Sequence, residues 1–208
     1  MVDAAPGRPG EVRLLGASGR SRGTPGRPVE VRNYEPGDEA SWLRCRVLGF
    51  LATNHFDDVW QAKRRTDLEL VALDGDVIAG ILDVSVPGAG ATIDTVVVHP
   101  DRQGEGIATA LLAEAVPRLE RCGVRTLDAW TREDGPALDW FARNGFTESE
   151  RYLHVHASAD ELGTVLTARH GLVPAGALLH ARIEREAEMR QRFERVHVCR
   201  RMVRELRP

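Results

Sequence analysis

Cysteine is scarce in this chain. The three present, Cys45, Cys122 and Cys199, stand far apart with no C-x-x-C pair. That pattern supports neither a disulfide framework nor a zinc site, and it fits a reducing cytoplasm. Aromatic residues make up only 5% of the 208 residues, and neither sign of charge dominates, with 28 Lys and Arg against 31 Asp and Glu. A net charge of −3 exerts no global pull toward nucleic acid or an anionic membrane. No apolar run reaches the roughly 18 residues a membrane helix requires, and no apolar segment of secretory type opens the chain. No ligand spacing points to a metal. What remains, 42% hydrophobic and 28% charged residues, describes a globular protein long enough for one sizeable core.

Residues 1–28 are dense in Gly, Pro, Arg and Ser with little to bury, and are expected to be a disordered leader. The domain proper is expected over 29–208. Val29 to Tyr34 alternates like a strand, and Glu39 to Leu48 follows as a helix with Trp42, Leu43, Val47 and Leu48 as its apolar stripe. A second helix is expected over Asp57–Arg65, its Lys63-Arg64-Arg65 end complementing the helix dipole. Leu68–Leu73 and Asp76–Ser85 read as hairpin strands joined at Asp74-Gly75.

The stretch Thr92 to Leu112, TIDTVVVHPDRQGEGIATALL, organises the rest. Its β-branched run suits a buried strand, Pro100 ends that strand, and Ile107, Ala108, Leu111, Leu112 and Ala115 recur at helical spacing. A glycine-rich turn feeding a helix start presents unpaired N–H groups to a phosphate. A P-loop is excluded because Ile107-Ala108 stand where Lys and Ser or Thr are needed. A dinucleotide fingerprint would need Gly or Ala at Thr109, and HPDRQ is too long for its tight turn.

What remains is Gln-x-x-Gly-x-Ala over Gln103, Gly106 and Ala108, preceded by Val-x-Val-His-Pro-Asp. This resembles the acetyl-CoA pyrophosphate loop of the GNAT family of N-acetyltransferases. About 30 residues downstream a second resemblance follows the strand Val124–Trp130. The family pattern Asn-x-x-Ala-x-x-Phe-Tyr-x-x-x-Gly-Phe is matched at Ala137, Gly145 and Phe146, with Asp134 for Asn, Trp140 for Phe and Phe141 for Tyr. Asp134 also suits an N-cap, Pro136 a first turn and Asn144-Gly145 a C-cap. The resemblance covers roughly Val29 to His156 and implies an α/β acyl-CoA N-acyltransferase fold, a mixed twisted sheet flanked by helices, with a helical insertion before the last strand.

The resemblance also implies a site. Strands near Thr92–Val98 and Arg125–Trp130 would splay at a bulge, with pantetheine pairing to backbone at Val96, Val97 and Val98. The pyrophosphate would lie on Gly104, Glu105, Gly106, Ile107, Ala108 and Thr109, with Gln103 ordering the loop and Asp134 completing the cofactor set. Small residues at Gly106 and Ala108 would let backbone approach the phosphates. Asp94, placed by strand alternation on the face of Val96 and Val98, is the expected base, and acidic residues stand near here in the family. Phe141 departs from the family by lacking the Tyr hydroxyl that protonates the thiolate. Tyr152 on the next strand is the expected substitute, with His154 and His156 as further candidates.

The C-terminal third carries the insertion, 157–194. Ser158 to Glu161 reads as a capping box opening a helix that Gly171 stops, Leu172 to Ile183 is ambiguous, Glu184–Glu194 is helical, and Arg195–Met202 is a strand. The insertion could wall an acceptor pocket or make a homodimer contact, and the arginines from Arg182 onward could attract an acidic acceptor. The reading is a cytoplasmic enzyme that moves acetyl from acetyl-CoA, its co-substrate, to a primary amine, with no nucleic-acid or membrane partner. The rivals are a non-catalytic acyl-CoA-binding module, which Phe141 favours, and a protein binding another nucleotide.

Overall fold

Eight strands form one mixed sheet in the computed structural model, which describes residues 29–163 and 165–207. The expected leader over 1–28 lies outside the described residues. In chain order the strands are β1 (Glu30–Asn33), β2 (Leu68–Asp74), β3 (Val77–Ser85), β4 (Gly90–Val98), β5 (Thr126–Thr131), β6 (Thr147–Ser158), β7 (Gly176–Ala181) and β8 (Arg195–Glu205). Their order across the sheet is β1-β2-β3-β4-β5-β8-β6-β7. All neighbours are antiparallel except β4 and β5, which run parallel because a helical crossover joins them. That crossover is α2 (Ile107–Arg121).

Helices cover the two faces unequally. Ile93, Leu127, Ala129 and Met202 pack under α2 and α3 (Gly135–Arg143), with Phe141 and Phe146 closing that core. The same face continues across β6 and β8, where Leu153, Val155, Val196 and Val198 lie under the one-turn α4 (Ala159–Leu162) and α5 (Glu186–Arg192). On the opposite face α1 (Glu39–Phe50) covers only β2 to β4, through Trp42, Cys45, Ile81 and Val97. Beyond α1 that second face is polar and aromatic: Asp128 and Trp130 on β5, Arg201 and His197 on β8, Tyr152, His154 and His156 on β6, and His180 on β7. Alternation puts each of these opposite the apolar side.

Several expectations need correction. The helix expected over Asp57–Arg65 is absent. Asp57 and Asp58 are committed to tertiary ion pairs with Arg195 and Arg46, and Trp60 stacks on Trp42, so the segment runs as turns and extended chain. The stripe buried on α1 is Trp42, Cys45, Arg46 and Gly49, rotated from the one expected. Gly49 is needed there because a Cβ would sit 2.1 Å from Val97 and 3.0 Å from the Val98 carbonyl. The β2–β3 hairpin loop is Gly75-Asp76, with Gly75 at φ 63°, since Asp74 still pairs with Val77. The capping box at Ser158 and Glu161 forms, but its helix lasts one turn and leaves Val165 and Leu166 partly exposed. The insertion is therefore not purely helical. Its ambiguous middle supplies edge strand β7.

Candidate functional site

Parallel pairing between β4 and β5 begins at Gly90 opposite Thr126 and ends at Ile93 opposite Ala129. Beyond that point β4 continues to Val98 paired only with β3. The cause is local. Val84 faces Ile93 and Asp83 faces Thr95, leaving Asp94 as the extra residue of a β-bulge. A bulge bends its strand and strengthens the twist, so β4 turns away from β5 and leaves one edge of Val96, Val97 and Val98 open. The expected splay is present.

The bulge also corrects the placement of Asp94. Simple alternation would set it beside Val96 and Val98. The extra residue shifts the phase, so Ile93, Val96 and Val98 all join the core under α2, while Val97 packs under α1. Asp94 is left exposed, and its Oδ2 accepts a hydrogen bond from Ser85 Oγ at 2.6 Å.

The open edge of β4 leads into the glycine loop. Gly104 and Gly106 both hold φ near 83°, a conformation L side chains strongly disfavour. A Cβ on Gly106 would meet nothing within 4 Å, so here the need for glycine lies in the backbone conformation and not in crowding. Gly106 is the N-cap of α2, and the first helical bond runs from Ala110 N–H to the Gly106 carbonyl. The N–H groups of Ile107, Ala108 and Thr109 thus precede the helical ladder at the positive end of the helix dipole. Gln103 Nε2 donates to the Val98 carbonyl at 3.2 Å, tying the loop to β4 as expected. Glu105 accepts from Arg102 Nε at 2.9 Å, and Arg102 also bonds Asp74, which braces the loop against the β2–β3 hairpin. Ile107 is buried against Gly80, where a Cβ would come within 2.6 Å of it. Thr109 Oγ1 accepts from Trp140 Nε1 at 3.1 Å, joining α3 to the start of α2.

Asp134 occupies the N-cap position of α3 but makes no side-chain cap bond. Its Oδ1 accepts instead from the Asn54 N–H at 2.9 Å, linking the chain after α1 to the turn after β5. Phe141 is 3% exposed, with its ring 4.9 Å from Trp140 and 5.2 Å from Phe146. Tyr152 stands on β6, three strands from β4, which is about 14 Å at the usual strand spacing. Its hydroxyl lies 3.0 Å from His154 Nε2, and burial pushes its pKa up to about 12. Asp94 and Tyr152 are therefore not neighbours.

Two groups of charged residues escaped the sequence reading. Lys63 Nζ lies 2.6 Å from Glu69 and 3.4 Å from Asp83, all three side chains buried beneath α1. Asp83 faces Thr95 across the bulge, and burial pushes its carboxyl up to about 7 against the attraction of Lys63. An acidic residue inside the otherwise apolar strand Val77–Val84 was the signal available. The second group centres on Asp57, which takes two hydrogen bonds from Arg195 at 2.8 and 3.0 Å and faces Arg132 and His156 at 3.6 and 3.7 Å. Arg132 also bonds the Asn54 carbonyl and His154 Nδ1. Burial, helped by Arg132 and Arg195, holds His156 down to about 4, and burial with Arg132 does the same to His154. Among the described residues no group of three or more His, Cys, Asp or Glu is placed to hold a metal ion. No described helix is long and apolar enough to cross a membrane.

A family model described as Acetyltransferase (GNAT) family matches residues 38–146, from the start of α1 to the end of α3. Mycothiol acetyltransferase of Geodermatophilus obscurus is 30% identical over 141 residues, 57% of this chain and 44% of that protein, so the match spans less than half of its length. The ribosomal-protein-S18-alanine N-acetyltransferase of Escherichia coli superposes with a TM-score of 0.57 at 16% identity, covering 86% of this chain and 95% of its own. The PaiA N-acetyltransferase of Thermoplasma acidophilum, solved with coenzyme A, gives 0.52 at 12% identity over 59% of this chain and 92% of its own. At these identities the solved structures speak to fold alone.

Proposed function

The chain belongs to the acetyltransferase (GNAT) family, and on that premise we propose that it transfers the acetyl group of acetyl-CoA to a primary amine. The observation that carries the reading is the open β4 edge running directly into a loop of two positive-φ glycines and free helix N–H groups. The residues fit the co-substrate. Backbone at Val96, Val97 and Val98 would hold the pantetheine amides as an added strand holds its neighbour. Gly104 to Thr109 would hold the pyrophosphate, and Gln103 keeps that loop against β4. Asp134, bonded to the Asn54 N–H, fixes the entrance beside α3.

When bound, acetyl-CoA supplies an activated thioester. The chain must then hold the amine neutral, stabilise charge on the carbonyl oxygen and allow the thiolate to leave. Asp94 takes the base position at the bulge, with Ser85 orienting its carboxylate. Backbone N–H near Val98 is the oxyanion donor. Proton return is assigned to Tyr152, and the strand separation requires that it act through solvent. A second copy pairing along the open edge of β7 belongs to the same reading: Leu178 is exposed there, whereas the other sheet edge, β1, is short and charged. Sedimentation would show monomer alone if that contact does not form.

The decisive variant is Gly106→Val. A β-branched residue at φ 83° moves the N–H cradle, so CoA affinity should fall at least tenfold, about 1.4 kcal/mol, with the fold retained. Unchanged affinity by calorimetry in a folded variant would remove the pyrophosphate assignment. The non-catalytic reading is favoured by Phe141, which offers no proton at the family's Tyr position. It predicts CoA binding without thiol release across an amine panel.

A further inference from the structure

The part of the second sheet face left open by α1 and the chain after it has a direction. It starts at Trp130, the residue after Ala129, which is the last β5 residue paired with β4. The Trp130 ring meets Tyr152 edge-on at 5.1 Å, and Tyr152 lies 4.7 Å from His180. His154 stacks on His180 at 5.0 Å and 18°, and its Nε2 lies 3.0 Å from the Tyr152 hydroxyl. An aromatic row therefore leads from the β4–β5 gap across β8 and β6 to β7. Three strand spacings separate its ends, about 14 Å.

The row ends in a groove of about 540 Å³, lined by Arg151, Tyr152, His180, Arg182 and Glu184 among others. Arg151 is shared with Glu148 at 3.6 Å. Among the described residues the Arg182 guanidinium has no ion-pair partner. With Arg151 engaged by Glu148, Arg182 is the arginine of the groove left without a carboxylate, and a guanidinium fork suits a carboxylate or phosphate. The aromatic surface between gap and groove suits a flat or extended body lying along it.

We propose that the acceptor is an elongated amine with an anionic far end, its amine at the β4–β5 gap, its body along Trp130, Tyr152 and His180, and its anionic group at Arg182. This rests on the acetyltransferase reading for the location of the amine, while the anion preference stands on the groove itself.

A peptide is a convenient probe, because about four extended residues span the row at roughly 3.4 Å each. Binding of a tetrapeptide with a free C-terminal carboxylate is compared calorimetrically with that of its C-terminal amide, with and without CoA. The expected result is a preference of at least fivefold for the carboxylate in wild type. In Arg182→Glu that preference is lost or inverted, while CoA affinity stays unchanged. Equal binding of the two peptides, no measurable binding of the carboxylate form at millimolar concentration, or a preference unmoved by Arg182→Glu would each overturn the proposal. Failure of CoA to bind, or of any amine to release thiol from acetyl-CoA, would instead sink the transferase reading.

Discussion

Two charge clusters, one buried and one partly exposed, lie on the same face of the sheet and have opposite imbalances. Under α1, one Lys63 ammonium serves two carboxylates, Glu69 and Asp83. Under the chain after α1, one Asp57 carboxylate serves Arg195, Arg132 and, when protonated, His156, with His154 and His197 near by. Burial is the largest cause of the shifts of Asp83 and of the four histidines, and around Asp57 the arginines act with it. Asp83, the surplus carboxyl, is pushed up to about 7, chiefly by burial. Around Asp57 burial, with the neighbouring arginines adding to it, lowers His154 and His156 to about 4 and lowers His55 and His197 as well. Asp57 itself is held well below the usual carboxylate range, first by its hydrogen bonds from Arg195. Burial penalises whichever ion lacks a counter-charge.

The sharpest way to break the comparison is to remove each central ion. Lys63→Met leaves Asp83, 2% exposed, buried without a cation, and leaves Glu69, 9% exposed, only the solvent-exposed Arg65 at 3.4 Å. A loss of about 3–5 kcal/mol is expected, read as a lower denaturant midpoint at an unchanged slope. Asp57→Asn should cost less, about 1–2 kcal/mol, because Asp57 is 37% exposed and water reaches it and Arg195, its closest cation at 26% exposed. Equal losses in the two variants would mean that burial does not distinguish the clusters.

Their pH dependences should have opposite signs. A histidine lowered from 6.5 to about 4 binds fewer protons folded than unfolded. Stability from His154 and His156 is therefore full above pH 6.5 and is lost as the pH falls toward 4. Asp83, raised from 3.8 to about 7, binds more protons folded than unfolded, so its contribution falls as the pH rises through that window. His156→Gln should reduce the acid-side loss of melting temperature. Asp83→Asn should gain on wild type between pH 4 and 7. Parallel melting curves for all three proteins across pH 4–8 would refute both effects.

What was legible in the sequence follows from the range of the interactions. The β4–loop–α2 unit is local: β-branched residues, Pro100 and two positive-φ glycines lie within about one turn of the positions they act on, so strand, loop and helix could all be read there. The capping box at Ser158 and Glu161 was legible for the same reason. Its helix was overextended because exposed Val165 and Leu166 mimic an apolar face. The 57–65 segment misled because Asp57 and Asp58 answer to Arg195 and Arg46, 138 and 12 residues away, and neither pairing leaves a periodic trace. The bulge was foreseen through family resemblance, but its effect on the facing of Asp94 depends on the β3 register, which a single strand does not display.

Phe141 sets an uncharged position against the two charged clusters, and its expected effect is the smallest. Its ring is buried with Trp140 and Phe146 in the core under α2 and α3, where packing requires no hydroxyl. Phe141→Tyr adds an oxygen that must either reach the β4–β5 gap or stay buried without a partner, the latter costing about 1–3 kcal/mol of stability. A thiolate leaves without strong assistance, more readily than an alkoxide or amide, so protonation at departure should not limit turnover. Steady-state kinetics should then show less than a threefold change in kcat, with KM for acetyl-CoA nearly unchanged. Tyr152→Phe should lower kcat more than Phe141→Tyr raises it if Tyr152 returns the proton through solvent. A gain of tenfold or more from Phe141→Tyr would show that the wild-type site is limited by the missing hydroxyl, and that neither Tyr152 nor water replaces it.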